Sequence, residues 1–251
     1  RILIPVLVIM LERLGQFVGE TMGRPTLETL RRKLEHFEVL PAGLENIEAL
    51  RDRSYLVAPN HLKPKEKWAE MTGVSPDALV VARVIREATR QEPRIVSKSD
   101  DGWWADGWYK HVQRRVMQPL GQGFHKGVGT IPIRKNPGSF NREFLDLTEQ
   151  AVKNNEPIIM FPEGDWFPDF DESHALETGV AHLAKKCGLP VVPAYIHGAD
   201  SWNDTEKVIR VVFGGAILPL GTKQELTELI RSGSAAAQKK ATDELAADYV
   251  I

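Results

Sequence analysis

The apolar positions divide the chain into a helical beginning and a longer region in which strands and helices alternate. Residues 26–38 carry Leu27, Leu30, Leu34 and Phe37 at helical spacing, with charged residues between them, which predicts an amphipathic helix. Further along the chain, short apolar runs rich in β-forming residues predict strands instead. These runs cover residues 54–59, 94–98, 130–134, 157–161, 190–196 and 207–213.

Segments with helical periodicity separate most of the predicted strands. They cover residues 76–90, 139–155 and 174–187, and a polar helical tail begins at Gly221. Strands that alternate with helices predict an α/β fold with a largely parallel central sheet flanked by helices. We therefore predict a helical, membrane-proximal segment over residues 1–42 and an α/β domain over residues 43–251.

Two apolar segments lie outside this alternation. The run Ile2–Leu11 is too short to span a bilayer, which takes about 20 residues. It is interpreted as a buried helix, as a membrane-surface helix or as the end of a longer anchor that begins upstream of residue 1. The aromatic cluster Trp103–Tyr109 is compatible with a lid, an acyl-chain wall, a membrane-facing belt or ordinary core.

Charge and cysteine content narrow the class of protein. The formal net charge is -2, which argues against a general nucleic-acid binder because such proteins need a basic surplus. We expect no nucleic-acid partner. The single cysteine, Cys187, excludes an internal disulfide and fits a cytosolic compartment.

Polar residues come directly after the predicted strands, at the edge where parallel α/β sheets place their functional groups. Asn60 and His61 stand after the first strand, and the second ends in Lys98. The remaining strand ends carry Arg134 and Lys135, Glu163 and Gly164, and His197. A partly cationic edge that contains a histidine indicates a site that binds an anion and transfers a proton.

The acidic run after residue 164 has two interpretations. Asp165, Asp169, Asp171 and Glu172 supply oxygen ligands of the kind that hard cations prefer. Their spacing does not fit an EF-hand, and acidic residues are equally favoured in solvated loops and at helix N-termini. We predict a solvated loop and no metal site.

Four blocks occur in order along the chain: "GLENIEALRDRSYLVAPNH" (43–61), "GVGTIPIRK" (127–135), "FPEG" (161–164) and "GLPVVPAYIHGA" (188–199). Together they resemble the glycerolipid acyltransferase family, which comprises lysophosphatidic-acid and glycerol-phosphate acyltransferases. The resemblance extends from about Gly43 to about Phe213. It implies an O-acyltransferase of phospholipid biosynthesis that moves a fatty acyl group from acyl-CoA or acyl carrier protein to a hydroxyl of a lysophospholipid, glycerol phosphate or a related glycolipid. No cofactor is expected beyond the thioester co-substrate.

The resemblance also implies roles for individual residues. His61 takes the proton from the acceptor hydroxyl, and Arg134 holds the acceptor phosphate with its forked donors. Backbone donors near the turn at Asn60 are expected to stabilise the oxyanion. The remaining substrate-binding residues are Asn60, Lys98, Gly129, Lys135, Glu163 and Gly164.

The carboxylate partner of His61 is left open between two residues. The family places an aspartate where this chain has Glu66. An alternative alignment pairs His61 with Asp77, because the helix and the strand after Asp77 resemble the elements that come after the aspartate in the family. We favour Asp77, with the additional residues looped out between the two.

The residues directly after the block "FPEG" also depart from the family. The family usually continues with a threonine and an arginine, whereas this chain continues with Asp165, Trp166 and Phe167. Losing a cation and gaining an acid favours a larger, less anionic acceptor than a phosphomonoester.

Because both substrates carry long chains, we expect the protein at the cytoplasmic face of a membrane, either peripheral or anchored upstream of residue 1. Two other functions stay open. One is an acyl-thioesterase or lipid hydrolase, although the Gly-x-Ser-x-Gly elbow of serine hydrolases does not occur. The other is a catalytically silent lipid-binding protein.

Overall fold

The computed structural model describes residues 3–67, 69, 75–98, 118–133 and 142–248. The chain forms two compact units, each made of two segments. The smaller unit combines Arg1–Arg32 with Arg94–Gln150, and the larger combines Lys33–Pro93 with Ala151–Ile251. The predicted division into residues 1–42 and 43–251 stays a prediction.

Strands and helices alternate through most of the described chain. The strands are β1 (Val39–Ala42), β2 (Leu56–Pro59), β3 (Arg94–Lys98), β4 (Ile131–Ile133), β5 (Ile158–Ile159), β6 (Val191–His197) and β7 (Ile209–Phe213). The helices are α1 (Leu3–Val18), α2 (Arg24–Leu34), α3 (Glu45–Glu48), α4 (Pro76–Thr89), α5 (Gln118–Val128), α6 (Arg142–Lys153), α7 (Gly179–Cys187) and α8 (Lys223–Asp248). A π-helical turn, Gly19–Gly23, joins α1 to α2.

The larger unit is built on strands in the order β1-β7-β6-β2-β5. Neighbouring strands in this order are parallel, except that β6 and β7 are antiparallel. Every residue of β2 and β7 is buried, as are the first six of β6. Because these strands are covered on both faces, they consist mostly of apolar residues, with Arg210 as a buried exception in β7. The predicted α/β fold with a largely parallel sheet, flanking helices and a helical N-terminal segment is confirmed.

Helix α4 begins and ends at residues with clear local signals. Ser75 is extended, Pro76 stands in the first turn where its missing N–H costs nothing, and Arg90 closes the helix in the left-handed region. Most of its residues are buried, including Val80, Val81 and Ile85. The start of α4 is therefore fixed by packing, which matters because Asp77 lies in its first turn.

In the smaller unit, β3 and β4 are parallel, with Lys98 in register with Ile133. Helices α1 and α5 pack backbone against backbone. A Cβ at Gly123 would lie 1.9 Å from the carbonyl oxygen of Glu12, and one at Gly127 would lie 2.3 Å from that of Gln16. A real Cβ atom cannot lie so close to a carbonyl oxygen. Glycine at these two positions therefore lets the helices approach closely.

The opposite face of α1 is apolar and exposed. Ile9, Met10, Leu14 and Phe17 are each more than half exposed, as is Met22 in the π-helical turn. No helix among the described residues is both long enough and apolar enough to cross a membrane. The N-terminal helix thus packs one face against the glycines of α5 and has an exposed apolar face.

The six predicted strands correspond to β2 through β7, and the four predicted helical segments after residue 75 correspond to α4, α6, α7 and α8. Strand β1 was not predicted. It has four residues, contains Pro41 and stands at the end of the strand order, where a residue without an N–H is tolerated. The aromatic cluster Trp103–Tyr109 lies outside the described residues.

Candidate active site

The side chain of Asn60 ties the end of β2 to β6. Its Nδ2 donates to the carbonyl of Ile196 at 3.1 Å, and its Oδ1 accepts the Ile196 N–H at 2.7 Å. Asn60 is buried, so these two bonds continue the ladder beyond the last residue of the strand. This contact holds the backbone from which the next residue, His61, projects. The predicted role of Asn60 in substrate binding stays a prediction.

His61 lies against the first turn of α4. Its Nδ1 is 2.8 Å from Oδ2 of Asp77, whose side chain is fully buried while that of His61 is 19% exposed. The same carboxylate accepts the N–H groups of Leu62 at 2.8 Å and Ala78 at 2.6 Å. Because Asp77 holds the proton on Nδ1, the neutral ring has its basic lone pair on Nε2.

Glu66, the other candidate partner of His61, has a different set of contacts. Its Oε1 accepts the Ser201 hydroxyl at 2.6 Å, the Trp202 N–H at 2.9 Å and the Asn203 side-chain amide at 3.3 Å. Glu66 therefore anchors the loop after β6. Of the two carboxylates left open by the sequence, Asp77 is the one that bonds His61.

Glu163 supports His61 from the backbone side. Its Oε2 accepts the His61 N–H at 2.5 Å. Burial raises the pKa of Glu163 to about 7, the nearby carboxylates of Asp77 and Asp169 add to the rise, and the His61 N–H opposes it. The other oxygen, Oε1, is buried without a hydrogen-bond partner among the described residues.

Two aromatic rings flank the imidazole of His61. Phe161 stacks on it with ring centroids 3.8 Å apart and planes inclined by 22°. Trp166 lies with its ring centroid 5.6 Å away and its plane inclined by 60°. Neither ring was assigned to the site from the sequence, although Phe161 begins the block "FPEG" and Trp166 stands just after it. Their position within or next to this block was the sequence signal that could have identified them.

Three backbone N–H groups at this turn donate to other groups of the protein. Those of His61, Leu62 and Lys63 donate to Glu163, to Asp77 and to the carbonyl of Phe167. None of these three N–H groups is therefore free to stabilise an oxyanion, which was the role expected for the donors of this turn.

The two site glycines have backbone reasons for their identity. Gly164 has φ +66°, and a Cβ there would lie 2.9 Å from Cγ of Glu177. Gly129 has φ +94° and comes directly after α5, where its N–H donates to the carbonyls of His125 and Lys126. Both positions favour glycine because other residues are strained at positive φ.

The predicted cationic residues belong to the smaller unit. Lys98 is the last residue of β3. Arg134 and Lys135 come after β4 and lie outside the described residues. The predicted roles of these three residues in binding the acceptor phosphate stay predictions.

The acidic loop uses its carboxylates to cap its own turns. Asp165 accepts the N–H of Trp166 at 2.9 Å, and Asp171 accepts that of Ser173 at 2.8 Å. Asp169 accepts the Tyr195 hydroxyl at 2.8 Å. Within the ranges that the structure describes, no three histidine, cysteine or acidic side chains are arranged to hold a metal ion.

Residues 75–197 match the model of the family described as Acyltransferase. The chain contains an acyltransferase-family domain. The matched segment begins just before Asp77 and includes Glu163 and Gly164, whereas His61 precedes it. The predicted membership is confirmed at the level of the acyltransferase family.

Among solved structures, this chain is similar to the crystal structure of the 1-acyl-sn-glycerophosphate (LPA) acyltransferase, PlsC, from Thermotoga maritima. The sequence identity is 13%, the TM-score is 0.49, and the match covers 95% of this chain and 98% of that one. No curated protein matches the chain significantly.

Proposed function

We propose that this acyltransferase moves a fatty acyl group from an acyl thioester, on coenzyme A or acyl carrier protein, to a hydroxyl of a lysophospholipid or related lipid. The observation that carries the proposal is the 2.8 Å contact between Nδ1 of His61 and the buried Asp77. A histidine fixed in this way is a general base whose Nε2 accepts a proton from an alcohol.

The chemistry requires one base and no covalent enzyme intermediate. Nε2 of His61 removes the hydroxyl proton as the acceptor oxygen attacks the thioester carbonyl. The resulting imidazolium is stabilised by the Asp77 carboxylate. As the tetrahedral intermediate collapses, the carbon–sulfur bond breaks, and the thiolate leaves with the proton from His61. The products are the ester and the free thiol.

Acceptor binding is assigned to three cationic residues that stand at or directly after the ends of predicted strands. Arg134 is the residue proposed to hold an acceptor phosphate, because a guanidinium donates two parallel hydrogen bonds to phosphate oxygens. Lys98 and Lys135 add positive charge. This assignment is supported by the resemblance of residues 127–135 to the second block of the family.

The exposed apolar face of the N-terminal helix is proposed to lie on a membrane surface, at the cytoplasmic side. Met10, Leu14 and Phe17 recur at intervals of four and three residues, which aligns them along one side of α1, and Ile9 extends this side. Exposed apolar residues arranged in this way are typical of helices that lie in the membrane interface. Long-chain substrates would then reach the protein from the lipid phase.

The release of free thiol from palmitoyl-CoA, measured with and without a lysophospholipid acceptor, tests the proposed function. We expect release that depends on the acceptor, together with a new diacyl lipid identified by mass spectrometry. Release without an acceptor would indicate a hydrolase. If no free thiol is released from either palmitoyl-CoA or palmitoyl acyl carrier protein, a silent lipid-binding protein is favoured.

The variant His61→Ala is the matched control for this assay. It should lose acceptor-dependent turnover while its Tm stays close to that of the parent protein, because the side chain is partly exposed and its backbone N–H still reaches Glu163. If the variant retains turnover, His61 is not the base.

A further inference from the structure

The segment after Gly164 is held directly against the segment that carries His61. The N–H of Phe167 donates to the carbonyl of His61 at 2.9 Å, and the N–H of Lys63 donates to the carbonyl of Phe167 at 2.9 Å. These two bonds form a parallel bridge between Leu62 and Phe167. Trp166 directly precedes the bridged residue, so its place beside His61 is set by the backbone.

The indole of Trp166 brings an unused hydrogen-bond donor close to the base. Its Nε1 is buried and has no hydrogen-bond partner among the described residues. A buried indole N–H normally has a partner, because leaving it unsatisfied costs free energy. The ring lies beside the imidazole, so an oxygen of a bound acceptor is the natural partner for this N–H. The donor is single and neutral.

Among the described residues, three carboxyl groups lie near His61 and this donor. Asp77 is fully buried at Nδ1 of His61, and Asp169 is close enough to raise the pKa of Glu163. Glu163, buried next to the His61 backbone, has a pKa of about 7 and so carries its charge only in part at pH 7. Like charges repel strongly where water is scarce. A phosphomonoester carries a charge of about -1.5 to -2 at pH 7. A phosphodiester carries one negative charge, so it suffers less repulsion here.

We propose that Trp166 is an acceptor-selecting residue, whose neutral indole beside His61 favours a lysophospholipid with a phosphodiester head group over one with a phosphomonoester. The proposal rests on the proposed acyl transfer. The indole face contacts the head group and its N–H donates to a head-group oxygen, but the neutral indole of residue 166, unlike a guanidinium, does not neutralise a second charge.

Two acceptors that differ only in the phosphate test this proposal. They are lysophosphatidic acid and its phosphate methyl ester, each presented at equal concentration in the same detergent, with palmitoyl-CoA or palmitoyl acyl carrier protein as donor. We expect the parent protein to show the higher kcat/KM for the methyl ester. A higher kcat/KM for lysophosphatidic acid overturns the proposal but leaves acyl transfer intact. If neither acceptor is acylated with either donor, the proposed function itself fails.

Two variants separate the charge from the indole donor. Trp166→Arg should raise kcat/KM for lysophosphatidic acid relative to the methyl ester by about tenfold, the size of one charged hydrogen bond. Trp166→Phe keeps an aromatic ring but lacks the N–H, so it should lower kcat/KM for both acceptors and preserve their ratio. A thermal melt establishes that each variant is folded.

A ratio unchanged in a folded Trp166→Arg variant overturns the proposal, since the residue would then not sense the acceptor's charge. An unchanged kcat/KM in Trp166→Phe overturns the role of the indole N–H. If the arginine variant does not fold, the preference of the parent protein and the behaviour of Trp166→Phe decide the question.

Discussion

The Nδ1 atom of His61 lies 2.8 Å from Oδ2 of Asp77, although the two residues are 16 positions apart in the sequence. Glu66 stands much closer to His61 along the chain, yet it hydrogen-bonds Ser201 and the backbone of Trp202. The pairing is therefore set by where α4 begins rather than by sequence spacing. The buried carboxylate of Asp77 also accepts two backbone N–H groups, which fixes its orientation toward the ring.

Exchanging each carboxylate for its amide distinguishes their roles. Asp77→Asn should lower kcat by about 10²- to 10⁴-fold, because the amide no longer stabilises the imidazolium. Glu66→Gln should leave kcat close to that of the parent and lower the free energy of unfolding by about 1–2 kcal/mol, through weaker bonds to the loop after β6. Steady-state kinetics and urea unfolding measure the two effects. If instead Glu66→Gln lowered kcat and Asp77→Asn did not, Glu66 would be the carboxylate partner of His61.

The raised pKa of Glu163 predicts a pH dependence of stability. The folded carboxyl keeps its proton up to about pH 7, whereas the unfolded one loses it near its ordinary value of 4.5. The stabilisation is therefore fully present below pH 4.5 and lost as the pH rises through 7. Glu163→Gln stays neutral throughout and lacks this loss.

The measurement is the free energy of unfolding of both proteins at several pH values. The difference, variant minus parent, should increase by up to about 3 kcal/mol between pH 4.5 and 7, and then level off. A difference that is constant across this range would mean that the pKa of Glu163 is not raised in the folded protein.

The side chain of Asn60 should be needed for folding stability. Asn60→Ala leaves the buried N–H and carbonyl of Ile196 without partners, so it should lower the free energy of unfolding by about 2–3 kcal/mol. Asn60→Asp keeps an acceptor for the Ile196 N–H but offers no donor, and it places a charge in a buried position, so it too should be destabilised. Urea unfolding tests both. Equal stability of Asn60→Ala and the parent would refute the structural role.

The apolar face of α1 predicts binding to lipid vesicles. Replacing Met10, Leu14 and Phe17 together by glutamine should weaken binding by tenfold or more, because each buried apolar side chain contributes about 1.5–3 kcal/mol. Co-sedimentation with anionic vesicles measures the effect. Turnover of a short-chain, water-soluble acceptor should be unaffected.

A matched control uses three exposed leucines of the larger unit. Leu218, Leu220 and Leu229 are 58%, 69% and 51% exposed, values similar to those on α1. Their replacement by glutamine removes a comparable apolar surface and should leave vesicle binding unchanged. If both triple variants lose binding equally, the membrane contact is not specific to the N-terminal helix.

Most of the fold could be predicted from the sequence, because its elements carry local signals. Strands such as β6 are buried on both faces and consist of nearly unbroken apolar residues, and α4 starts at a proline and has helical periodicity. Strand β1 escaped prediction because its residues are partly exposed and include Pro41, so no apolar run marks it.

The site was predictable only in part, for a different physical reason. Residue type and position after a strand were enough to single out His61 and Glu163 as candidates, whereas Asp77 was singled out by the resemblance to the family. Which carboxylate bonds the imidazole depends on the three-dimensional course of the chain between residues 61 and 77. The rings of Phe161 and Trp166 were missed because aromatic residues beside a motif do not reveal which side chain they contact.

By itself the sequence determined the strand–helix order, the histidine at the end of a buried strand and the family of the chain, since each depends on residues that are close together. Only the tertiary structure decided that Asp77 rather than Glu66 bonds His61, that Glu163 accepts the His61 backbone N–H and that Trp166 lies beside the imidazole. Such pairings join residues distant in sequence, and packing of α4 and the loop after β5 around the end of β2 brings them together.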